Sequence, residues 1–232
     1  MSDDIDEREA QRRARRAEID AMPGAVEGDI AERAAWFEHV YESAHHHPEQ
    51  VPWADLKPKD VLVNWLKRNP GEGRTALDVA CGLGDNAEAI AAAGWKTSAF
   101  DVAPHAIEWA ESRFPKSPVS YSVANLFHPP AEWIGGFDLV HECYTLQSFS
   151  GEMREDSFAA VARLVKPGGR LLVIARARRE DEEVPGPPFP LTPGEFDIFR
   201  DLGFLQAKNR TYVVQKGYRL IAHRCVEYRR TT

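Results

Sequence analysis

The chain has 232 residues, 43% hydrophobic and 28% charged, with a formal net charge of -7, the balance of an ordinary soluble protein with one sizeable core. The acidic surplus speaks against nucleic acid, which needs a basic face, and for a small-molecule partner. Cys81, Cys143 and Cys225 are widely spaced, which excludes a disulfide framework and a zinc knuckle and fits a reducing compartment.

The first residues, "MSDDIDEREA", lack the basic-then-apolar order of a secretion signal, and no apolar run reaches membrane-spanning length, so the cytoplasm is the expected location. Residues 1–28 carry charges of both signs and few apolar anchors, which predicts a flexible arm; acidic residues surround its "RRARR". From Asp29 to Ser43 apolar residues recur at helical spacing. The proline-broken "HHHPEQVPWADLKP" reads as a loop, and a short helix follows over Asp60–Arg68. After "NPGEGR" the pattern becomes strand "TALDVA", helix Asp85–Ala93, strand "KTSAFDV", helix Pro104–Arg113 and strand "VSYSVA". "FDLVHECY" then predicts a fourth strand, Arg154–Leu164 a helix, and "RLLVIARAR" a fifth strand after the turn "KPGG". The alternation implies a parallel sheet. "EDEEVPGPPFPLTPGEF" is too long and proline-rich for a plain connection, so it reads as a functional loop or lid. A helix over Pro193–Asp201 and two strands around "QKG" complete the chain as a hairpin.

"TALDVACGLGDNAEA" holds the motif that carries chemistry. Gly82, Gly84 and Ala87 fit the G-x-G-x-x-G/A turn that cradles nucleotides between a strand and a helix. Asp78 lies inside that strand, where dinucleotide sites carry an apolar residue, and Ala80 stands where they carry glycine. Asp101 ends the second strand, where a carboxylate accepts from ribose hydroxyls or caps the following helix. Asn125, after the third strand, either bonds an adenine edge or makes a turn. An adenosine ligand fits the set.

Asp78-Val79-Ala80-Cys81-Gly82-Leu83-Gly84 resembles the glycine motif of the class I S-adenosylmethionine-dependent methyltransferases, and the likeness runs in order from Thr75 to the C-terminus. It implies an α/β, Rossmann-like class I methyltransferase fold: a mostly parallel seven-stranded sheet with a C-terminal antiparallel hairpin and N-terminal helices. Residues 29–72 would form a helical cap over the cofactor site, and residues 73–232 the Rossmann-like domain. S-adenosylmethionine is the implied cofactor. Its implied contacts are Trp53, Asp78, Ala80, Gly82 and Gly84, then Asp101, Val102, Asn125, Leu126 and Glu142. A narrower likeness, to the thiopurine and thiol S-methyltransferases and their tellurite- and halide-methylating relatives, lies in "FDLVHECYTLQSF", "VPGPPFPLTPGEF" and the N-terminal "WFEHVY…VPWADLKP". Glu142 occupies that group's acidic position after the fourth strand, but Cys143 stands where the thiopurine enzymes place an arginine.

Methyl transfer from a sulfonium leaves the protein to align and desolvate, and alignment contributes about 7–11 kcal/mol. A thiol of pKa about 8.5 lies roughly 2 kcal/mol from its thiolate at neutral pH, whereas an alcohol lies roughly 12 kcal/mol from its anion and wants a base. His141 and Glu142 are the catalytic candidates; Tyr144 and Phe189 are the acceptor-binding ones. For His141 the alternative is a packed core imidazole, and for Trp53 and Phe189 a local core contact. The run His45–His47 is too local to converge on a metal, so none is expected. The sequence therefore predicts methylation of a small molecule, on a thiol or other soft nucleophile. O- or N-methylation is the alternative, then an NAD-dependent oxidoreductase or an inactive cofactor-binding protein. Neither nucleic acid nor membrane is an expected partner, and the oligomeric state stays open.

Overall fold

The computed structural model describes residues 14–184 and 186–232. Seven strands form one sheet in the order β3-β2-β1-β4-β5-β7-β6. They are β1 (Thr75–Val79), β2 (Lys96–Asp101), β3 (Ser120–Val123), β4 (Phe137–Cys143), β5 (Val165–Arg176), β6 (Phe204–Lys216) and β7 (Arg219–Arg230). The first five pair in parallel, and β7 runs antiparallel to both β5 and β6. The order reverses direction at β1 and β4, which opens a crevice at their carboxyl ends where ligands of such sheets bind.

The central strands are buried on both faces. In β5, Leu171, Val173 and Ala175 face one core while Leu172 and Ile174 face the other. The first core is closed by Phe158 and Val161 of α5 (Gly151–Ala162) and by Phe196 and Phe199 of α6 (Pro193–Asp201). The second is closed by Leu62 and Trp65 of α2 (Asp60–Leu66) and Ile90 of α3 (Asp85–Ala92). α1 (Ile30–Ser43) packs across α4 (Pro104–Arg113), with Tyr41 and Ala44 against Ala106 and Trp109. Capping boxes start α1, from Asp29 and Glu32, and α6, from Thr192 and Glu195. The helix predicted from Arg154 begins three residues earlier, at Gly151, with Ser150 as its N-cap.

Residues 1–13 of the predicted arm lie outside the described residues, and the rest of it departs from the expectation. Residues 14–20 are helical, and Ile19 is wholly buried with Ala25 against Trp36 and Val40. The Trp36 indole donates to the Ile19 carbonyl at 2.7 Å, and Arg33 donates to the carbonyls of Gly24 and Ala25. A few well-placed apolar side chains suffice because α1 presents aromatic rings to receive them. Among the described residues, no helix is long and apolar enough to cross a membrane.

Candidate active site

A cavity of about 230 Å³ opens at the carboxyl ends of the central strands. Its floor is the turn after β1. There Ala80 (φ 49°), Gly82 (φ 53°) and Gly84 (φ 87°) hold left-handed backbone, and Gly84 is the N-cap of α3. A Cβ at Gly84 would sit 2.4 Å from the Tyr121 hydroxyl and one at Gly82 3.0 Å from the Tyr41 hydroxyl, so the turn has no room for side chains on those sides.

Asp101 ties this turn to the next. Its Oδ2 accepts from the Gly82 amide at 2.9 Å and its Oδ1 from the Ala103 amide at 3.1 Å. Burial raises its pKa to about 6, against the pull of those amides. The carboxylate lines the cavity with lone pairs left over, although the helix cap itself is Ala103. Asn125 makes both of its anticipated contacts possible at once. Its Oδ1 accepts from the Phe127 amide at 2.9 Å, which leaves the side-chain NH₂ to the cavity it lines. Val102, Leu126, Ala80 and Trp53 also reach the wall, and the Trp53 indole donates to the Tyr41 hydroxyl at 2.8 Å.

Three predicted residues sit beneath the wall instead of on it. Parallel register sets Asp78 beside His141, and His141 Nδ1 and Asp78 Oδ1 are hydrogen-bonded at 2.6 Å. Both are buried, and His141 Nε2 has no partner among the described residues. Glu142 is wholly buried too, its Oε1 accepting from the amides of Thr145 at 2.5 Å and Leu146 at 3.1 Å. Burial lifts its pKa to about 7 despite those amides. Glu142 thus shapes the turn after β4, and His141 braces Asp78. Neither faces the cavity, because inward and outward positions alternate along β4 while helices cover both faces of the sheet.

The turn after β4 delivers Tyr144 to the cavity with φ 72°, a conformation bulky residues rarely adopt and one that concentrates at functional sites. His223 Nδ1 faces the Ile221 carbonyl at 2.8 Å, and since a carbonyl only accepts, Nε2 is free to accept from the Tyr144 hydroxyl at 2.8 Å. The Tyr144 ring also lies 4.4 Å from Lys59 Nζ. Phe189 differs from its predicted role. It contributes backbone, donating to the Gln147 carbonyl at 2.7 Å and accepting from Arg154 at 2.9 Å, while Pro187 and Pro188 reach the wall. Arg154 also grips Glu195 and the Pro190 carbonyl, which anchors the loop to α5 and α6.

Sequence reasoning missed Arg16, Arg33, Asp55, Lys59 and Arg176, all on the wall. Asp55 accepts from both Lys59 and Lys216, which hold its pKa below the ordinary value against burial. The one available signal was a charge closing an apolar strand, as in "VIARAR".

The residues present fit an adenosine-bearing cofactor: a cramped backbone turn, a buried carboxylate with spare lone pairs, and an amide NH₂ one strand further on. Residues 77–173 match the sequence model of the methyltransferase domain family. The chain is 32% identical over 126 residues to the ubiquinone biosynthesis O-methyltransferase of Aromatoleum aromaticum, covering 53% of this chain and 52% of that protein. It is 32% identical over 144 residues to the protein of that name from Thiobacillus denitrificans, covering 61% and 60%. The chain thus spans about half to three-fifths of the length of these curated relatives. Among solved structures it resembles one from the conversion of a disulfide bond into a thioacetal group during echinomycin biosynthesis, with TM-score 0.70, 20% identity and coverage of 85% and 93%. It also resembles the Burkholderia thailandensis 1,6-didemethyltoxoflavin-N1-methyltransferase, solved with S-adenosylhomocysteine, with TM-score 0.66, 17% identity and coverage of 89% and 92%. At such identities these likenesses carry the fold. Residues 77–173 are thus similar to a methyltransferase domain, and the sheet order is that of a Rossmann-like methyltransferase fold.

Proposed function

We propose that the protein transfers the methyl group of S-adenosylmethionine to a small-molecule acceptor, a thiol or other soft nucleophile. Asp101, Asn125 and the Gly82 turn would hold the adenosine, and Trp53 with Tyr41 would cover the cofactor. When bound, the cofactor supplies the electrophilic methyl carbon and its own leaving group. The protein's part is to align the acceptor and exclude water, which the anchored proline loop and the α1 aromatics favour.

The observation that carries the soft-nucleophile reading is the state of the wall's carboxylates. Asp55 is held by two lysines, Asp85 by Arg113 at 2.8 Å, and Asp101 by two amides. Asp55 and Asp85 are thus committed to cations and Asp101 lies at the adenosine end, and the cations beside Asp55 and Asp85 favour an acceptor that reacts as its anion. The placement of Pro187 and Pro188 supports kinship with the thiol and tellurite methyltransferases, whose loop has this sequence pattern. A second reading, O-methylation, draws on the Tyr144–His223 hydrogen bond and on the named function of the curated relatives. Incubating purified protein with labelled cofactor and a panel of thiols, phenols, amines, halides and chalcogen oxyanions tests both. Thiols should be methylated fastest, with a rate that rises toward the thiol pKa; label going to phenols alone puts the second reading first.

A further inference from the structure

We infer that the acceptor carries a carboxylate and that Arg176 is the residue that recognises it, an assignment that rests on the methyl-transfer reading above. Arg176 ends β5 at the carboxyl edge of the sheet and pairs in register with His223 of β7. Arg176 lines the cavity, and its Nε is buried with no hydrogen-bond partner among the described residues. Among the described residues it makes no ion pair. The other two arginines of the wall are committed. Arg16 donates to Asp20 and to the Pro187 carbonyl, and Arg33 to the carbonyls of Gly24, Ala25 and Ser148. Lys59 and Lys216 share Asp55.

A partly buried guanidinium keeps its charge and is costly without a partner. Burial lowers its proton affinity, and so do Arg16 and Arg219, while Tyr144 and Asp55 raise it. Its planar fork matches the two oxygens of a carboxylate. Asp55 on the same wall opposes a second negative charge beside Arg176, which favours carboxylate over phosphate. The position favours acceptor over cofactor. The Gly82 turn follows β1 and Asp101 ends β2, whereas Arg176 lies two strands from β1, past β4, beside Tyr144 and the β6–β7 hairpin.

The test is calorimetry on protein saturated with S-adenosylhomocysteine, titrated with thiosalicylate and its methyl ester, and with 3-mercaptopropionate and its methyl ester. In wild type at least one acid should bind roughly 10- to 150-fold tighter than its ester, the span of a charge-assisted hydrogen bond. In Arg176→Met that preference should fall to within about 3-fold, and in Arg176→Lys, which keeps the charge but loses the fork, to an intermediate value. Affinity for S-adenosylhomocysteine should change by less than about 2-fold in both variants, since Arg176 stands apart from the adenosine contacts. Arg176→Lys carries the test should Arg176→Met fail to fold. Wild type that does not bind S-adenosylhomocysteine brings down the methyl-transfer reading itself. Cofactor binding with acid and ester bound alike, or with neither bound, overturns the carboxylate assignment alone. So does a preference that survives both substitutions, or a variant that loses S-adenosylhomocysteine.

Discussion

The two ends of the cavity are built differently. At one end, backbone amides, a buried carboxylate and a side-chain amide come from the turns after β1, β2 and β3. At the other, side chains converge from residues 14–20, α1, the loop before α2, the ends of β4 and β5, the proline loop and the hairpin. The first end repeats what a common cofactor requires. The second is assembled from segments far apart in the chain, and there the cations Arg16, Arg33, Lys59, Arg176 and Lys216 gather despite a net charge of -7. On the proposed methyl-transfer reading, a shared electrophile and a particular acceptor would meet where a fixed turn faces a composite wall.

The strongest way to break the composite wall is to remove its outermost piece. Deleting residues 1–20 strips away Ile19, whose burial is worth about 1.5–3 kcal/mol, and leaves the Trp36 indole without its acceptor, at about 1–3 kcal/mol more. We expect a loss near 3–5 kcal/mol in urea unfolding, with the sheet retained by circular dichroism. An unchanged midpoint would return this segment to the role of a solvated arm.

The Glu142 turn, which joins the two ends, should show itself in pH. Its folded pKa, raised to about 7, exceeds the ordinary carboxyl value of 4.5, so the folded state binds the extra proton between them. The stability this contributes is full below pH 4.5 and is lost as pH rises through 7, by about 3 kcal/mol. Glu142→Gln keeps an acceptor for the Thr145 and Leu146 amides and cannot ionise. The ligand-free variant should therefore gain on wild type from pH 5 to pH 8. A constant difference in melting temperature would show that Glu142 does not titrate in that window.

Next comes the cofactor end. Asp101→Ala should weaken S-adenosylhomocysteine by about 1.5–3 kcal/mol, roughly 10- to 150-fold, because a charge-assisted hydrogen bond goes and the Gly82 amide loses its anchor. Calorimetry on the folded variant decides it, and equal affinity would leave Asp101 as a brace between two turns.

What was legible in the sequence follows the same division. Alternating apolar runs give the strand and helix order, and the glycine turn lies in one short stretch, so the fold and the shape of that turn can be read directly, while Asp78 falls beneath the wall. Residues 14–28 could not, since the rings that receive Ile19 and Ala25 belong to α1. His141 attracted a catalytic role because its pairing with Asp78 depends on the register of β1 and β4, which no local pattern records. Arg176 and His223 become neighbours only through the β5–β7 register. Phe189 is the acceptor contact expected of its proline-rich loop, yet the fold uses its backbone and sets Pro187 and Pro188 against the cavity.

The smallest expected effect separates the two chemistries at the acceptor end. Tyr144→Phe removes the hydroxyl that donates to His223 Nε2 and keeps the ring beside Lys59. S-adenosylhomocysteine should bind within about 2-fold of wild type, because the hydroxyl is turned to β7 and away from the Gly82 turn. Stability should fall by about 1 kcal/mol, the net worth of one hydrogen bond. A thiol acceptor that reacts as its thiolate needs no proton relay, so kcat/KM should drop less than about 3-fold and keep its rise toward the thiol pKa of about 8.5. An alcohol acceptor that passes its proton to Tyr144, as Tyr144 passes its own to His223, would instead lose the 10²- to 10⁴-fold typical of general-base catalysis. His223 is ill suited to take that proton, since burial lowers its pKa and so do the Arg176, Lys59 and Lys216 charges, against the Ile221 carbonyl that raises it. A loss in that larger range, with cofactor affinity intact, would make the Tyr144–His223 pair a working base and the acceptor an oxygen.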